Sequence, residues 1–396
     1  MDILIRNCNL ISMARNRPKY EENIDIYIED DKIAEIGEYI TPRPGAYIID
    51  AEGKICMPGL INTHAHLSMS IFRETLDGYT LQNWLTKKIW PMEDKLTPDD
   101  IYAASILSCL EMVTTGTTTA NDQYFMTEST IEAALKVGTR LQLTRTVNDI
   151  GNMQEERIEE LEELIQRYNN RYDLITLNIG IHGLYTTGRE TVEKLVNYAK
   201  ENNLPIHMHF CENQKEVEDI KKDYSVSSPV DVIEDIFEDT HIILAHAVKL
   251  TDNEIKRLKC MPVHISHCPI SNLRLGCGVA KIQEMIDNGI NVSLGTDGQG
   301  SGSNLDMFEV MKFTALLQKG VFENVKNMDS YEVLKMATIN GAKALGLEDE
   351  IGSIEVRKES RYYIVRLKYR DYKSYTEQFL PILYIILKEA MYLILS

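Results

Sequence analysis

From residue 55 onward the chain repeats one texture: a short run of β-branched residues, then a longer stretch with helical spacing. Few folds accommodate such a pattern. Eight runs can be counted, at residues 55–66, 115–122, 141–147, 174–182, 205–212, 242–248, 263–268 and 291–297. Helical patterns fall between them, for example at 98–114, 158–168, 191–202, 280–288 and 305–319. Eight parallel strands with intervening helices predict an α/β chain closed into a (β/α)8 TIM-like barrel rather than an open doubly wound sheet. No Gly-x-Gly-x-x-Gly follows the first run, which argues against a dinucleotide site. The segment 298–303 superficially resembles a phosphate loop but lacks the Gly-Lys-Ser/Thr ending. It is read as a flexible βα turn at the barrel mouth.

Ahead of the barrel pattern, short alternating runs at 2–10, 24–28, 32–36 and 47–50 are punctuated by Pro, Gly and Asn. They predict a small antiparallel sheet module. The expected division is residues 1–54 for the first part of this β module, 55–350 for the barrel, and 351–396 for a tail that would normally complete the module. The acidic stretch 154–163 carries Ile158, Leu161, Leu164 and Ile165 at helical spacing, so it is read as a solvated helix face with an apolar stripe.

In such a barrel, chemistry sits at the C-terminal ends of the strands. The first run ends in His64 and His66, the fourth in His182, and the fifth in His209 followed by Glu212. The sixth ends in His246, the seventh in His267 and the eighth in Asp297. Residues i and i+2 on a strand project to one face, so His64 and His66 can converge on one ion. The inferred ligand set is His64, His66, His209 and Asp297, which suits Zn2+, with Fe2+ or Mn2+ chemically tolerable. A second ion would need a bridging group such as a carboxylated lysine near the end of strand four. Residues 174–183 hold no lysine, so one divalent ion per subunit is expected.

An ion of this kind makes hydroxide available near neutrality. Glu212 is then placed for proton transfer, Asp297 for contact with both the ion and the water, and His246 for orienting that water or steadying developing charge. His207 shares strand parity with His209 but lies a layer deeper and is read as a packed barrel residue. His241 and His264 are read as structural, and His267 as a structural partner near the site.

The net charge of −18, from 42 basic and 60 acidic side chains, argues against nucleic-acid or anionic-membrane partners. Seven cysteines without a Cys-x-x-Cys read as reduced thiols, and the start lacks a signal-peptide pattern, so a cytoplasmic protein is expected. The apolar stretch 379–387 is too short for a membrane span.

Longer segments carry a resemblance: Pro58-Gly59-Leu60-Ile61-Asn62-Thr63-His64-Ala65-His66, His209-Phe210-Cys211-Glu212, and Leu244-Ala245-His246. To these add Ser266-His267-Cys268-Pro269-Ile270-Ser271-Asn272-Leu273 and Leu294-Gly295-Thr296-Asp297-Gly298. Together they resemble the amidohydrolase superfamily, in the branch of 5-methylthioadenosine/S-adenosylhomocysteine deaminases, up to about Val356.

The resemblance implies hydrolytic release of ammonia from an adenosine-type thioether nucleoside by a homo-oligomer. It further implies a substrate-binding stretch from Trp84 to Asp94 with Glu93 on the ribose. Arg145 and Arg157 would face an amino-acid tail, and His182 the purine. Chemistry supports these roles: a carboxylate can accept two ribose hydroxyls, arginine forks a carboxylate, and histidine can donate to a ring nitrogen. The alternatives are 5′-deoxyadenosine, adenosine, guanine or a chlorinated triazine as substrate, or an inactive barrel scaffold. After Val356 the chain leaves the family pattern for a Tyr- and Lys-rich stretch and ends earlier than the resemblance implies. A frameshift in the coding sequence would produce that pattern.

Overall fold

The computed structural model describes residues 2–76, 78–360, 362–366 and 391–393. The barrel strands are Leu60–Ala65, Thr117–Tyr124, Arg140–Val147, a fourth in two pieces (Ile175–Leu177 and Ile179–Gly183), Ile206–Phe210, Ile242–His246, Val263–His267 and Asn291–Leu294. Neighbours pair in parallel around the ring. The fourth strand breaks at buried Asn178, whose amide side chain donates to Asn121 Oδ1 at 2.8 Å.

Side-chain and backbone hydrogen bonds draw the ring together between its last and first strands. Thr63 Oγ1 donates to Leu294 O at 2.9 Å, and Thr296 N donates to Asn62 Oδ1 at 3.1 Å. Asp297 N donates to His64 O at 3.0 Å, which sets a carboxylate beside the paired histidines.

Aliphatic residues such as Ile181, Met208, Leu244, Ile265 and Val292 pack the interior and the strand–helix interface. The acidic helix Gln154–Tyr168 buries Ile158, Leu161, Leu164 and Ile165 and turns most of its carboxylates to solvent, as its stripe predicts.

The small sheet runs in the order Met391–Leu393, Tyr362–Arg366, Lys54–Pro58, Ile3–Leu10, Glu21–Glu29 and Lys32–Gly37, with Tyr47–Asp50 also on Ile3–Leu10. It differs from the expected antiparallel module. Tyr47–Asp50 and Lys54–Pro58 both run parallel to Ile3–Leu10, so the sheet is mixed. The run at 55–66 is likewise two strands. Lys54–Pro58 serves the small sheet, and the chain passes at Gly59 into the barrel strand Leu60–Ala65. A Cβ on Gly59 would lie 2.2 Å from Thr118 Oγ1, so glycine leaves the room that the Thr118 side chain fills.

Backbone of the C-terminal segment joins this sheet at Tyr362–Arg366, antiparallel to Lys54–Pro58. Residues 367–390, including the apolar stretch 379–387, lie outside the described residues. Among the described residues no helix is long and apolar enough to cross a membrane.

The segment 298–303 is not an open turn. Gln299–Gly302 forms a short helical turn with all four residues buried, wedged against the first strand's exit. A Cβ on Gly300 would sit 2.9 Å from Trp84 Cζ2, and one on Gly298 2.6 Å from Met69 Sδ. Close packing, not loop freedom, explains these glycines.

Candidate metal centre and active-site cavity

The strand ends deliver their side chains to one point. His66 Nδ1 donates to Gln123 O at 2.6 Å, and His209 Nδ1 donates to His182 O at 2.5 Å. Each bond fixes the tautomer and leaves Nε2 as a lone pair aimed inward. His64 Nδ1 meets His207 Nε2 at 2.9 Å, and His64 Nε2 is buried with no hydrogen-bond partner among the described residues. An orphaned lone pair in a protein interior needs an explanation. The other donors around it supply one.

His66 Nε2 lies 3.2 Å from His209 Nε2 and 3.2 Å from Asp297 Oδ1, and His64 Nε2 lies 3.5 Å from the same oxygen. Metal–ligand distances of about 2.0–2.1 Å in a tetrahedron give ligand–ligand edges of about 3.3 Å. The cluster fits a divalent ion. His64, His66 and His209 form one triplet of convergent ligand atoms, and His64, His246 and Asp297 another.

Electrostatics agrees with the geometry. Burial pushes the His64 imidazole down to about 3, so it is neutral and able to ligate. Burial acts the same way on His66, but the hydrogen bond and charge of Asp297 outweigh it and lift His66 to about 9. Burial alone would raise Asp297; its contacts with His64 and His66 hold it well below the usual carboxylate range. Without another cation, the carboxylate thus recruits a proton onto His66. Asp297 is further fixed by hydroxyls: Ser271 and Ser301 donate to Oδ2 at 2.5 and 3.0 Å. Its φ of +62° is a left-handed conformation rare outside glycine and costly unless held.

Beside the cluster stands Glu212, 4% exposed. Burial and the nearby Asp297 charge raise its carboxyl to about 8, so it carries a proton at neutral pH. His246 gives Nδ1 to Asn272 Oδ1 at 2.9 Å and leaves Nε2 buried without a partner. Its φ of +74° turns the ring over the site.

His66, His209, Glu212, His246 and Asp297 line one cavity of about 940 Å³. The cavity also takes in Trp84, Glu93, Arg145, Arg157 and His182, so the residues named from the sequence share one site. The stretch from Leu81 to Glu93 is helical, with a π turn at Leu85–Ile89, and forms one wall. Glu93 Oε1 accepts from Tyr124 OH at 2.6 Å, and burial raises its carboxyl. Trp84 is buried and donates Nε1 to Thr75 Oγ1 at 3.3 Å.

The arginines are partly engaged by their own chain. Arg157 Nη1 donates to Asn148 O, Asn148 Oδ1 and Ile150 O, while Arg145 pairs with Glu160 and donates to Thr146 O. His241 and His264 stack at 4.4 Å away from the cavity, His241 on Ala344 O and His264 on Asn291, as structural groups. His267 is buried, with no hydrogen bond at either ring nitrogen among the described residues.

Sequence reasoning missed the supporting residues. His207 is buried like a packing residue, yet it is the hydrogen-bond partner of His64. Its i,i+2 spacing to His209, the same spacing as His64 and His66, was the available signal. Ser271 and Asn272 sit within the quoted 266–273 segment, but only the fold shows that one hydroxyl serves Asp297 and one amide His246.

The amidohydrolase family model matches residues 55–379. A 5-methylthioadenosine/S-adenosylhomocysteine deaminase of Caldanaerobacter subterraneus subsp. tengcongensis is 39% identical over 372 residues, spanning 93% of this chain and 85% of that protein. A 5′-deoxyadenosine deaminase of Methanobrevibacter smithii is 41% identical over 345 residues, spanning 86% and 79%. Among solved structures, an adenosine deaminase of Xanthomonas campestris with bound zinc superposes with a TM-score of 0.90 at 27% identity, covering 96% of this chain and 88% of that one. With the family model matching most of its length and relatives of this identity, the chain belongs to the amidohydrolase family.

Proposed function

We propose that this protein hydrolytically deaminates adenosine-type thioether nucleosides, S-adenosylhomocysteine and 5-methylthioadenosine, to their inosyl counterparts with release of ammonia. The observation that carries this reading is the convergence of three imidazoles and Asp297 beside the buried Glu212 carboxyl. The names of the relatives point the same way.

His64, His66, His209 and Asp297 would hold one divalent ion, zinc by preference, which supplies Lewis-acid activation of the attacking water. The chain's own groups carry the protons. Glu212 gives its proton to the purine ring nitrogen as the oxygen adds to the amino-bearing carbon. Asp297, its other oxygen held by Ser271 and Ser301, takes a proton from the water. Asp297 then passes that proton to the amine, which leaves as ammonia, and the proton of the added hydroxyl returns to Glu212 as the carbon becomes a carbonyl. His246, oriented by Asn272, offers Nε2 to the developing oxygen charge.

Glu93 keeps Oε2 for the ribose hydroxyls while Oε1 is held by Tyr124, and Trp84 lines the same wall. His182 takes a role different from donation to a ring nitrogen. Thr186 donates to Gly183 O, so the 2.8 Å bond between His182 Nδ1 and Thr186 Oγ1 needs the imidazole as donor. That leaves His182 Nε2 to accept from the substrate.

A second reading keeps the chemistry and removes the tail: 5′-deoxyadenosine as substrate. The internal bonds of Arg145 and Arg157 favour it, since both guanidinium groups already serve the chain. Metal-replete protein tested on a nucleoside panel, followed by the adenine-to-hypoxanthine absorbance change, separates the two. The proposal expects higher kcat/KM on S-adenosylhomocysteine and 5-methylthioadenosine than on 5′-deoxyadenosine. The reverse order would select the second reading.

A further inference from the structure

The catalytic acid is held from behind. Glu212 follows the fifth strand, Ile206–Phe210, through Cys211, whose φ of +50° is left-handed although it is buried and not glycine. The Glu212 carboxylate itself is weakly anchored. Cys277 Sγ is 3.9 Å and His246 Nδ1 3.8 Å from Oε1, and His246 Nδ1 is already given to Asn272. Among the described residues no side chain donates it a short hydrogen bond. Its position therefore depends on its own backbone.

That backbone is gripped by one side chain. Glu216, 1% exposed, accepts from Cys211 N at Oε1 and from Glu212 N at Oε2, both at 2.7 Å. On the opposite side, Ala247 N donates to Phe210 O and Lys249 N to Cys211 O, both at 2.9 Å. Glu216 stands at the third position of the helix Gln214–Asp223. There a glutamate normally reaches back to the amide of the N-cap residue and does no more than finish the helix end. Here it reaches past the cap. Asn213 Oδ1 already caps the helix by accepting from Glu216 N at 2.9 Å, so Glu216 is free to hold the two preceding residues.

We propose that Glu216 is a positioning residue for Glu212: its two carboxylate oxygens hold the Cys211 and Glu212 amides in the left-handed turn that points Glu212 at the metal centre. This rests on the proposed function for the role of Glu212, but not for the clamp itself. Acceptance at both carboxylate oxygens restrains position and angle, which a single bond does not. Misplacing a reacting group by about 1 Å can lower a rate by about 100-fold.

The test compares two changes at the same helix end. Glu216→Gln keeps the size but turns an amide donor toward one backbone N–H, whereas Asn213→Ala removes the helix cap and leaves both amides gripped. In metal-loaded protein, Glu216→Gln is expected to lower kcat by about 10–100-fold with KM within about threefold and metal content unchanged. Asn213→Ala is expected to lower the melting temperature while keeping kcat. Equal kcat in wild type and Glu216→Gln would overturn the proposal, as would parallel losses in both variants, which would reduce Glu216 to a helix cap. Should Glu216→Gln not fold, Glu216→Asp, one methylene too short to span both amides, gives the same reading.

Amide hydrogen exchange separates this claim from the deaminase reading. Protection at Cys211 and Glu212 should fall in Glu216→Gln and persist in Asn213→Ala even if no nucleoside on the panel is turned over. Unchanged protection in Glu216→Gln would also refute the clamp.

Discussion

His207 Nε2 lies 2.9 Å from His64 Nδ1, and both rings are fully buried. Burial, reinforced by the neighbouring histidines, holds His207 well below its ordinary pKa, so it is neutral and can accept a hydrogen bond from His64 Nδ1. The bond fixes the His64 tautomer with Nε2 free toward the centre. Loss of such an outer partner costs metal affinity, commonly about 10–100-fold. His207→Phe should therefore fold and bind Zn2+ about 10–100-fold more weakly in chelator competition. Unchanged affinity would show that His207 only fills space.

Glu212 sets the alkaline limit. Burial and Asp297 raise its pKa to about 8, so the acid form dominates at neutral pH and is lost as pH rises through that value. A bound dication would lower the value. The kcat/KM profile should accordingly fall on its alkaline side with a midpoint no higher than about pH 8. Glu212→Gln should retain metal and lose about 100-fold or more in kcat, with that limb absent from the residual rate. Near-normal turnover in the variant would remove the proton-shuttle role.

Burial and then the nearby Arg145 charge lower the Arg157 pKa. Two like charges on a cavity wall are relieved by an anion. Arg157→Ala should raise KM for S-adenosylhomocysteine by more than for 5-methylthioadenosine, which has no carboxylate. The loss of a charge-assisted bond suggests a difference of about tenfold. Equal effects on both substrates would mean that Arg157 only braces the loop at Asn148 and Ile150.

The barrel was legible because each strand is a short β-branched run with polar chemistry at its end, and alternation with helices leaves few topologies. The candidate ligands stood out for the same reason: His64, His66, His209 and Asp297 fall at or just after strand ends. Boundaries were harder. The run at 55–66 reads as continuous because Ile55–Pro58 is as apolar as Leu60–Ile61, and only packing at Gly59 against Thr118 separates two sheets. The buried turn at Gln299–Gly302 looked like a loop because its glycines answer to Trp84 and Met69, contacts distant in sequence. His207 looked like core because burial and hydrogen bonding to a ligand leave the same trace in a strand pattern. Glu216 was invisible among the acidic residues of its helix, since what distinguishes it is where two backbone amides point.

The central claim is that a divalent ion in the His64, His66, His209 and Asp297 cluster enables deamination at this cavity. It is tested most directly by counting ammonia and hypoxanthine-type product from 5-methylthioadenosine with metal-replete, chelator-stripped and Zn2+-restored protein. The account predicts equal amounts of both products from the replete enzyme, none after stripping, and recovery on restoring the ion. Full turnover by verified metal-free protein would contradict it.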